Sequence, residues 1–334
     1  MKTNHQLIQH GKTVLKTVTI VIPVYQNEDT ITTTCKELCS VLDPHSDEVG
    51  YDFVLVNDGS TDHSWEIMQR LQQEHPDRFT LISFTRNFGQ MSALLAGYTH
   101  ARGDCIVSIS ADLQDPPGLI WQMFCAWREG HKLVVANRVA RNDGWAKSKI
   151  SEICWAILRR YAVPGIPKGG FDFFLMDGQL CQYFVRDPEQ HIFLQGRLLF
   201  YGFKPFVIPY ERRKRTSGKS QTSFGRKVKY FIDGFAAYSF LPLRIMSALG
   251  ILLFLAALVV SGIIAWYVIV YGSRVEGWAS LMIVILFLSG MQMLAMGVIG
   301  EYLWRNMEET RRRPHYVIKS ISKNDQADLY GKWF

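Results

Sequence analysis

The sequence has few cysteines, and their spacing excludes a common class of metal site. None of the six forms a CxxC motif or a zinc-like cluster with histidine. A reducing, cytosolic setting is the simplest account of this pattern. The chain also lacks a nucleic-acid-binding motif, so its net charge of +7 does not predict a nucleic-acid partner. Residues 1–16 contain no apolar core, and we therefore expect no cleaved signal peptide.

Charged residues are missing from two long apolar stretches, 245–273 and 277–300. Each stretch exceeds the roughly 20 residues that a helix needs to cross the hydrocarbon core of a bilayer. Lysine and arginine are concentrated on both outer flanks, which by the positive-inside rule predicts cytoplasmic termini. Buried core helices are the alternative interpretation. The pattern predicts transmembrane helices at 243–272 and 277–301 of a multi-pass protein in the cytoplasmic (inner) membrane.

A segment that mixes basic and aromatic residues precedes the first apolar stretch. It covers residues 223–240 and predicts an amphipathic helix that lies on the membrane surface. An ordinary surface helix of the globular domain is the alternative. In either case, this segment separates the mixed-composition part of the chain from the apolar part.

Strand-like and helix-like patterns alternate along the first part of the chain. The apolar, β-branched run at 18–24 predicts a buried parallel strand, and further strands are predicted at 52–56, 79–84 and 105–109. Because helical stretches separate these strands, the pattern predicts an α/β fold with a mostly parallel, doubly wound sheet. No GxGxxG motif follows the first strand, which argues against a dinucleotide-binding Rossmann domain.

Polar side chains follow three of the predicted strands. They form the clusters 23–28, 57–62 and 112–115. Because the carboxyl ends of neighbouring parallel strands meet at one edge of a sheet, we expect the clusters to line one crevice. In the third cluster, the side-chain oxygens of Asp112 and Gln114 suit a hard divalent cation that holds a diphosphate. Simple turns and helix caps are the alternative, with Asp115 capping the next helix.

Several motifs in the chain are similar to those of a known enzyme family. They are VIPVY at 21–25, VNDGSTD at 56–62, SFTRNFG at 83–89, ADLQDPP at 111–117, ER at 211–212, RTSGKS at 215–220, GEYL at 300–303 and RRP at 312–314. This ordered set resembles glycosyltransferase family two. Within that family it resembles the polyprenyl-phosphate branch, which includes dolichol-phosphate mannose synthases and bacterial bactoprenol glucosyltransferases. The resemblance implies a GT-A nucleotide-sugar-binding fold, a divalent cation and an inverting transfer onto a lipid phosphate.

The resemblance also implies roles for individual residues. The donor nucleotide sugar would contact Pro23, Tyr25, Glu28, Asp58, Ser110 and Asp112. The metal ion, Mg²⁺ or Mn²⁺, would be held by Asp112 and Gln114. The acceptor phosphate would contact Arg138, Arg212, Arg215 and Ser220. For the basic residues near 212–219, simple attraction to anionic lipid is the alternative.

Asp172 lies where the family has an aspartate close to the reacting centre. A phosphate monoester has a second pKa of about 6, so an acceptor phosphate is mostly dianionic at pH 7. It therefore needs little deprotonation, and we predict that Asp172 acts as an orienting group or a weak base.

The sequence departs from the family pattern at several positions. Ser110 stands where the family usually has an aspartate, so one carboxylate is replaced by a neutral hydroxyl. Glu28 lies one position later than the usual glutamate, and Gln221 replaces a common lysine. These departures bear on the metal affinity and the identity of the donor sugar more than on the class of reaction.

The complete prediction divides the chain into six segments. They are an N-terminal extension at 1–17, a cytosolic GT-A domain at 18–222, the amphipathic segment at 223–240, transmembrane helices at 243–272 and 277–301, and a cytosolic tail at 302–334. The expected partners are a nucleotide sugar, a polyprenyl phosphate lipid, the membrane, further copies of the chain, a separate flippase and a downstream glycosyltransferase.

The predicted reaction transfers a monosaccharide from a nucleotide sugar to a polyprenyl phosphate at the cytoplasmic membrane face, for modification of cell-envelope glycans. The resemblance to bacterial members favours UDP-glucose as the donor, with other UDP-hexoses and GDP-mannose as alternatives. A processive polysaccharide synthase is one alternative, although the QxxRW motif of such enzymes is absent from the sequence. A catalytically weakened membrane scaffold or regulator is the other alternative, and Ser110 is the residue that motivates it.

Overall fold

The structure is a computed structural model that describes most of the chain. The described residues are 15–138, 145–187, 189–190, 192–211, 238–239, 241–271 and 277–322. Most of the predicted N-terminal extension, and all but two residues of the predicted amphipathic segment at 223–240, lie outside them.

The described residues form strands and helices that alternate along much of the chain. The strands are β1 (Lys16–Val24), β2 (Val49–Asn57), β3 (Phe79–Phe84), β4 (Cys105–Ser108), β5 (Leu133–Arg138), β6 (Phe173–Asp177), β7 (Phe206–Tyr210) and β8 (Ile318–Ser322). The α-helices are α1 (Ile31–Leu42), α2 (Ser64–Glu74), α3 (Gln90–His100), α4 (Gly118–Arg128), α5 (Trp145–Tyr161), α6 (Gly178–Arg186), α7 (Leu194–Phe200), α8 (Leu241–Tyr271) and α9 (Trp278–Arg311). The four strands predicted from the sequence correspond to β1 through β4.

All eight strands join one sheet in the order β7-β5-β6-β4-β1-β2-β3-β8. The pairs β1–β2, β1–β4, β2–β3 and β5–β7 are parallel. The pairs β3–β8, β4–β6 and β5–β6 are antiparallel. The sheet is therefore mixed. Strands β4, β1, β2 and β3 are parallel neighbours, and the antiparallel pairs depart from the predicted mostly parallel sheet.

Apolar side chains on both faces of the sheet account for the layers of helices. On β1, Ile20 and Ile22 belong to a core with residues of α1, α2 and α4, whereas Val21 belongs to a second core with residues of α3, α6 and α7. Successive residues of a strand point to opposite faces, so a strand buried on both faces has a continuous apolar run. The run at 18–24 has this property, and the helices that cover both faces of the sheet agree with the predicted α/β fold.

The C-terminal segment contributes an edge strand to the sheet. Strand β8 pairs antiparallel with β3, and the backbone amide of Thr85 donates to the carbonyl of Val317 at 3.1 Å. The Nε2 of Gln72 donates to the carbonyl of Ser322 at 3.0 Å, and the Ser322 hydroxyl donates to Oε1 of Gln72 at 2.6 Å. Part of the predicted tail at 302–334 is therefore built into the α/β domain.

Two long helices, α8 and α9, lie where membrane spans were predicted. Among the residues that the structure describes, however, no helix combines the length and the apolar character needed to cross a bilayer. The prediction of transmembrane helices at 243–272 and 277–301 is therefore wrong. Helix α8 begins before the predicted segment and includes Arg244, and α9 continues past the predicted end at 301 to Arg311.

Candidate active site

The loops that follow β1 and β2 are joined at the carboxyl edge of the sheet. The backbone amide of Asp58 donates to the carbonyl of Val24 at 2.9 Å, and that of Gln26 donates to Oγ of Ser60 at 3.1 Å. Strand β4 lies on the other side of β1, so the turn at 112–115 leaves the sheet at the same edge. The predicted grouping of the three polar clusters at one edge is confirmed.

Two residues in these loops adopt a backbone conformation that is unusual for their type. Gln26 has φ of 54° and Leu113 has φ of 55°, both in the left-handed region. Non-glycine residues seldom adopt this conformation, and such strain collects at binding and catalytic sites. Leu113 separates Asp112 from Gln114, and the amide of Gln114 donates to Oδ1 of Asp112 at 3.2 Å. The strained turn is therefore closed by a hydrogen bond between the Asp112 side chain and the Gln114 backbone.

The carboxylate of Asp58 holds two loops together. Its two oxygens accept hydrogen bonds from the backbone amides of Phe88 at 2.7 Å and Gly89 at 2.9 Å. Burial raises the pKa of Asp58, although these two hydrogen bonds act in the opposite direction. Asp58 thus fixes the loop after β2 against the loop after β3. Its contact with a nucleotide stays a prediction.

The other predicted donor-binding residues lie along the same edge. Pro23 is on β1 opposite Val56 of β2, and Tyr25, directly after β1, is half-buried. The Oε2 of Glu28 accepts a hydrogen bond from the amide of His63 at 2.9 Å, which joins it to the start of α2. Ser110 is half-buried between β4 and the acidic turn. Their contacts with a donor stay predictions.

The chemistry of Asp112 and Gln114 fits a cation that also binds substrate. No group of three or more acidic, histidine or cysteine side chains suited to a metal occurs in the described part of the chain. Mg²⁺ in proteins is commonly held by one or two carboxylates together with waters and substrate phosphates. One carboxylate and one amide oxygen in a strained turn are compatible with that mode. They do not provide a complete protein cage.

A second group of side chains lies at the same edge of the sheet, around Asp172. Because β6 is antiparallel to β5, Asp172, directly before β6, lies next to Arg138 at the carboxyl end of β5. The Nη2 of Arg138 donates to Oδ2 of Asp172 at 3.1 Å. Burial alone would lower the pKa of Arg138, but the carboxylate of Asp172, together with Tyr210 and Asp115, raises that pKa above its ordinary value. The structure thus brings together two residues predicted from separate motifs.

Gln195 supports Asp172 from inside the domain. It is fully buried at the start of α7, and its Nε2 donates to the carbonyl of Phe171 at 2.7 Å and to Oδ1 of Asp172 at 3.2 Å. The Asp172 side chain itself is 64% exposed, so it remains accessible to a substrate. Sequence reasoning missed Gln195, and no motif marks it.

Tyr210 connects Arg138 to the acidic turn. Its hydroxyl donates to Oδ1 of Asp115 at 2.6 Å and accepts a hydrogen bond from Nε of Arg138 at 3.2 Å. Burial and the negative charge of Asp115 raise the pKa of Tyr210. Asp115 was predicted to lie in the acidic turn and to cap the next helix, and Tyr210 was not predicted, although it directly precedes the ER motif. The remaining predicted acceptor residues, Arg212, Arg215 and Ser220, lie outside the described residues.

Together, these features define the class of protein. A mixed α/β sheet presents an Asp-x-Gln turn and an arginine–aspartate pair at one edge, and helices cover both faces. This is a GT-A-like domain with its candidate site at the carboxyl ends of the central strands.

Comparison with known proteins identifies the family. Residues 19–240 match the family described as Glycosyl transferase family 2. A bactoprenol glucosyl transferase homolog from an Escherichia coli K12 prophage is 34% identical over 92% of this chain and 99% of its own. The bactoprenol glucosyl transferase of Shigella phage SfV is 34% identical over 91% of this chain and 98% of its own. The chain therefore belongs to glycosyltransferase family 2 and resembles its polyprenyl-phosphate branch.

An uncharacterised relative and a solved structure extend the comparison. The glycosyltransferase YkcC of Bacillus subtilis is 35% identical over 93% of this chain and 96% of its own. The mannosyltransferase PcManGT of Pyrobaculum calidifontis, solved with GDP-Man and Mn²⁺, covers 87% of this chain and 88% of its own, with a TM-score of 0.49 and 18% identity.

Proposed function

We propose that this family 2 glycosyltransferase transfers glucose from UDP-glucose to a polyprenyl phosphate. The observation that carries the proposal is the placement of the Arg138–Asp172 pair at the same sheet edge as the turn of Asp112 and Gln114. The first group suits an acceptor phosphate and the second a donor diphosphate. The names of relatives that match over nearly their whole length support bactoprenol as the acceptor and glucose as the sugar.

The reaction exchanges one bond at the anomeric carbon. An oxygen of the acceptor phosphate forms a bond to that carbon, the bond to the donor diphosphate breaks, and the nucleoside diphosphate leaves with inversion of configuration. Arg138 would hold the acceptor by charge-assisted hydrogen bonds, for which a guanidinium group is well suited. Asp172 would orient Arg138 and accept a proton from the minor monoanionic form of the acceptor.

A divalent cation would neutralise the charge that develops on the leaving nucleoside diphosphate. Asp112 and Gln114 would hold it, with Ser110 beside them. Because the acceptor carries a lipid, we place the reaction at the cytoplasmic face of the inner membrane. A separate flippase and a downstream glycosyltransferase would then use the product.

The test is a transfer assay with purified protein, labelled UDP-glucose, Mg²⁺ and undecaprenyl phosphate. We expect chloroform-extractable label from the wild type and a turnover about 10- to 100-fold lower in Asp172→Asn. Asp47→Asn is the control, because Asp47 is an exposed aspartate that precedes β2 at the opposite edge of the sheet. It should keep wild-type turnover.

Two other results would overturn the proposal. Aqueous, polymeric label would indicate a processive synthase. No transfer in a panel of UDP-hexoses and GDP-mannose, with either Mg²⁺ or Mn²⁺, would indicate a catalytically weakened protein.

A further inference from the structure

We propose that Tyr210 is a positioning residue that couples the acidic turn to the Arg138–Asp172 pair. This inference rests on the proposed function and deepens it, because it assigns a role in the same site to a residue outside the family motifs. The hydroxyl of Tyr210 contacts both Asp115 of the turn and Arg138 of the pair.

Strand pairing fixes Tyr210 beside Arg138. The two residues are opposite each other at the ends of the parallel strands β5 and β7. The ring of Tyr210 also packs edge-on against Phe173, with 6.4 Å between the ring centroids. The backbone and the ring contact together determine where the hydroxyl lies, so its two hydrogen bonds do not depend on a flexible side chain.

The surroundings of the hydroxyl strengthen its bond to Asp115. Tyr210 and Asp115 are 6% and 5% exposed. A hydrogen bond to a carboxylate in such a setting is stronger than one between neutral groups in water. A phenol is protonated at neutral pH, and burial together with the charge of Asp115 raises the pKa of Tyr210 further, so the hydroxyl donates to Asp115. A lone pair of the same oxygen is then directed to Arg138.

The bridge orients the guanidinium group of Arg138. Its Nε is held by Tyr210, and its Nη2 is directed to Asp172. Asp115 is three residues after Asp112 and one after Gln114, so a change in the turn is transmitted to the pair through Tyr210. The donor-side and acceptor-side groups are thereby kept in one relative position.

Tyr210→Phe removes the bridge and keeps the ring. The chain also contains a matched control, in which Tyr51 donates to Oδ1 of Asp43 and accepts from Nη1 of Arg78. This second bridge has the same three residue types, and Tyr51 lies near the start of β2, at the edge of the sheet opposite the site. Tyr51→Phe therefore removes the same chemistry without touching the site.

The experiment compares both variants with the wild type in the lipid transfer assay and in thermal unfolding. We expect Tyr210→Phe to lower kcat about tenfold and to raise KM for undecaprenyl phosphate several-fold, with KM for UDP-glucose within about twofold of wild type. Tyr51→Phe should keep all three kinetic constants. Equal kinetics in the two variants would overturn the inference. The inference would also be overturned if the loss of activity in Tyr210→Phe were fully explained by a lower fraction of folded protein.

A second measurement does not depend on the proposed function. The free energies of unfolding of the wild type, Tyr210→Phe, Arg138→Gln and the double variant, measured by urea unfolding, form a double-mutant cycle. A bridge predicts that the double variant loses less than the sum of the two single losses. Additive losses of stability would contradict the bridge, even if the wild type transferred glucose. Non-additive losses in a wild type that transfers no sugar would support the bridge and count against the proposed function alone.

Discussion

Gly59 determines how closely two loops of the candidate site approach each other. It has φ of +66°, and a Cβ at this position would lie 2.3 Å from the carbonyl carbon of Arg86 and 2.5 Å from the amide nitrogen of Asn87. Both are backbone atoms, so one loop must move. We expect Gly59→Ala to lower the free energy of unfolding by about 2 kcal/mol or more. Its affinity for UDP-glucose, measured by calorimetry, should fall at least tenfold.

The Gly130→Ala variant is the control, because it introduces backbone strain without a close contact between loops. Gly130 also has a positive φ of +107°, but apart from its chain neighbours no residue that the structure describes has a heavy atom within 4 Å of its added Cβ. Its substitution should cost only about 1 kcal/mol of conformational strain and leave UDP-glucose binding unchanged. Equal losses of affinity in the two variants would mean that the contact between the loops does not matter for binding.

At the scale of residues, sequence reasoning worked where the partners belong to one motif or to neighbouring strand ends. Asp112 and Gln114 are two positions apart, so a single turn brings them together. Tyr210 and Asp115 are separated by 95 positions. Their contact depends on the antiparallel insertion of β6 beside β4 and β5, and no local pattern in the sequence specifies that insertion. Tyr210 therefore could not be predicted from its neighbours.

At the scale of elements, Asp177 joins the end of β6 to three other parts of the fold. It accepts hydrogen bonds from Nε1 of Trp127 at 2.8 Å, from Nζ of Lys132 at 2.9 Å and from the amide of Gln179 at the start of α6 at 3.1 Å. Burial alone would raise the pKa of Asp177, but these hydrogen bonds and the charge of Lys132 lower it below the ordinary value of 3.8.

This lowered pKa gives a prediction for the pH dependence of stability. The contribution of Asp177 is fully present above its unfolded-state pKa and is lost as the pH falls below about 4 toward its folded-state pKa. We expect the Asp177→Asn variant to be less stable than wild type by about 1–3 kcal/mol at pH 7, because the variant has no charge to pair with Lys132. Urea unfolding should show that this difference shrinks at about pH 3. A difference that stays constant with pH would contradict the role of the charge.

The long apolar helices show where composition was an insufficient guide. A window of hydropathy detects an apolar stretch but not the residues at which a helix begins and ends. Helix α9 joins the stretch at 277–300 to the charged residues that follow, as far as Arg311. The existence of two helices was predictable from the sequence. Helix α8 at Leu241–Tyr271 nearly coincides with the predicted segment at 243–272, whereas α9 continues beyond the predicted end at 301.

At the scale of the whole molecule, the sheet is completed by a segment distant in sequence. Strand β8 at Ile318–Ser322 pairs with β3 at Phe79–Phe84, and the ring of Tyr316 stacks on Phe84 at 5.0 Å. β3 ends at the loop that Asp58 holds, so the C-terminal segment supports one side of the candidate site. Short edge strands of this kind carry weak local signals, and their pairing is a property of the complete fold.

Gln72 on α2 is the side chain that fastens the end of β8. It exchanges hydrogen bonds with both the backbone and the hydroxyl of Ser322, and its Nε2 also donates to the carbonyl of Phe79. We expect Gln72→Ala to weaken this attachment by about 1–2 kcal/mol. Local opening would then be about tenfold more frequent at β8 without a matching change in the central strands.

Hydrogen exchange followed by mass spectrometry can separate local opening from global unfolding. In Gln72→Ala, peptides that cover 318–322 should exchange about tenfold faster than in wild type, and peptides of β1 should keep their wild-type rates. Gln73→Ala is the control, because Gln73 is the exposed neighbour on the same helix. Faster exchange throughout the sheet would instead mean that β8 and the central strands open as one unit. In that case the C-terminal strand would be part of the global fold rather than a separately fastened edge.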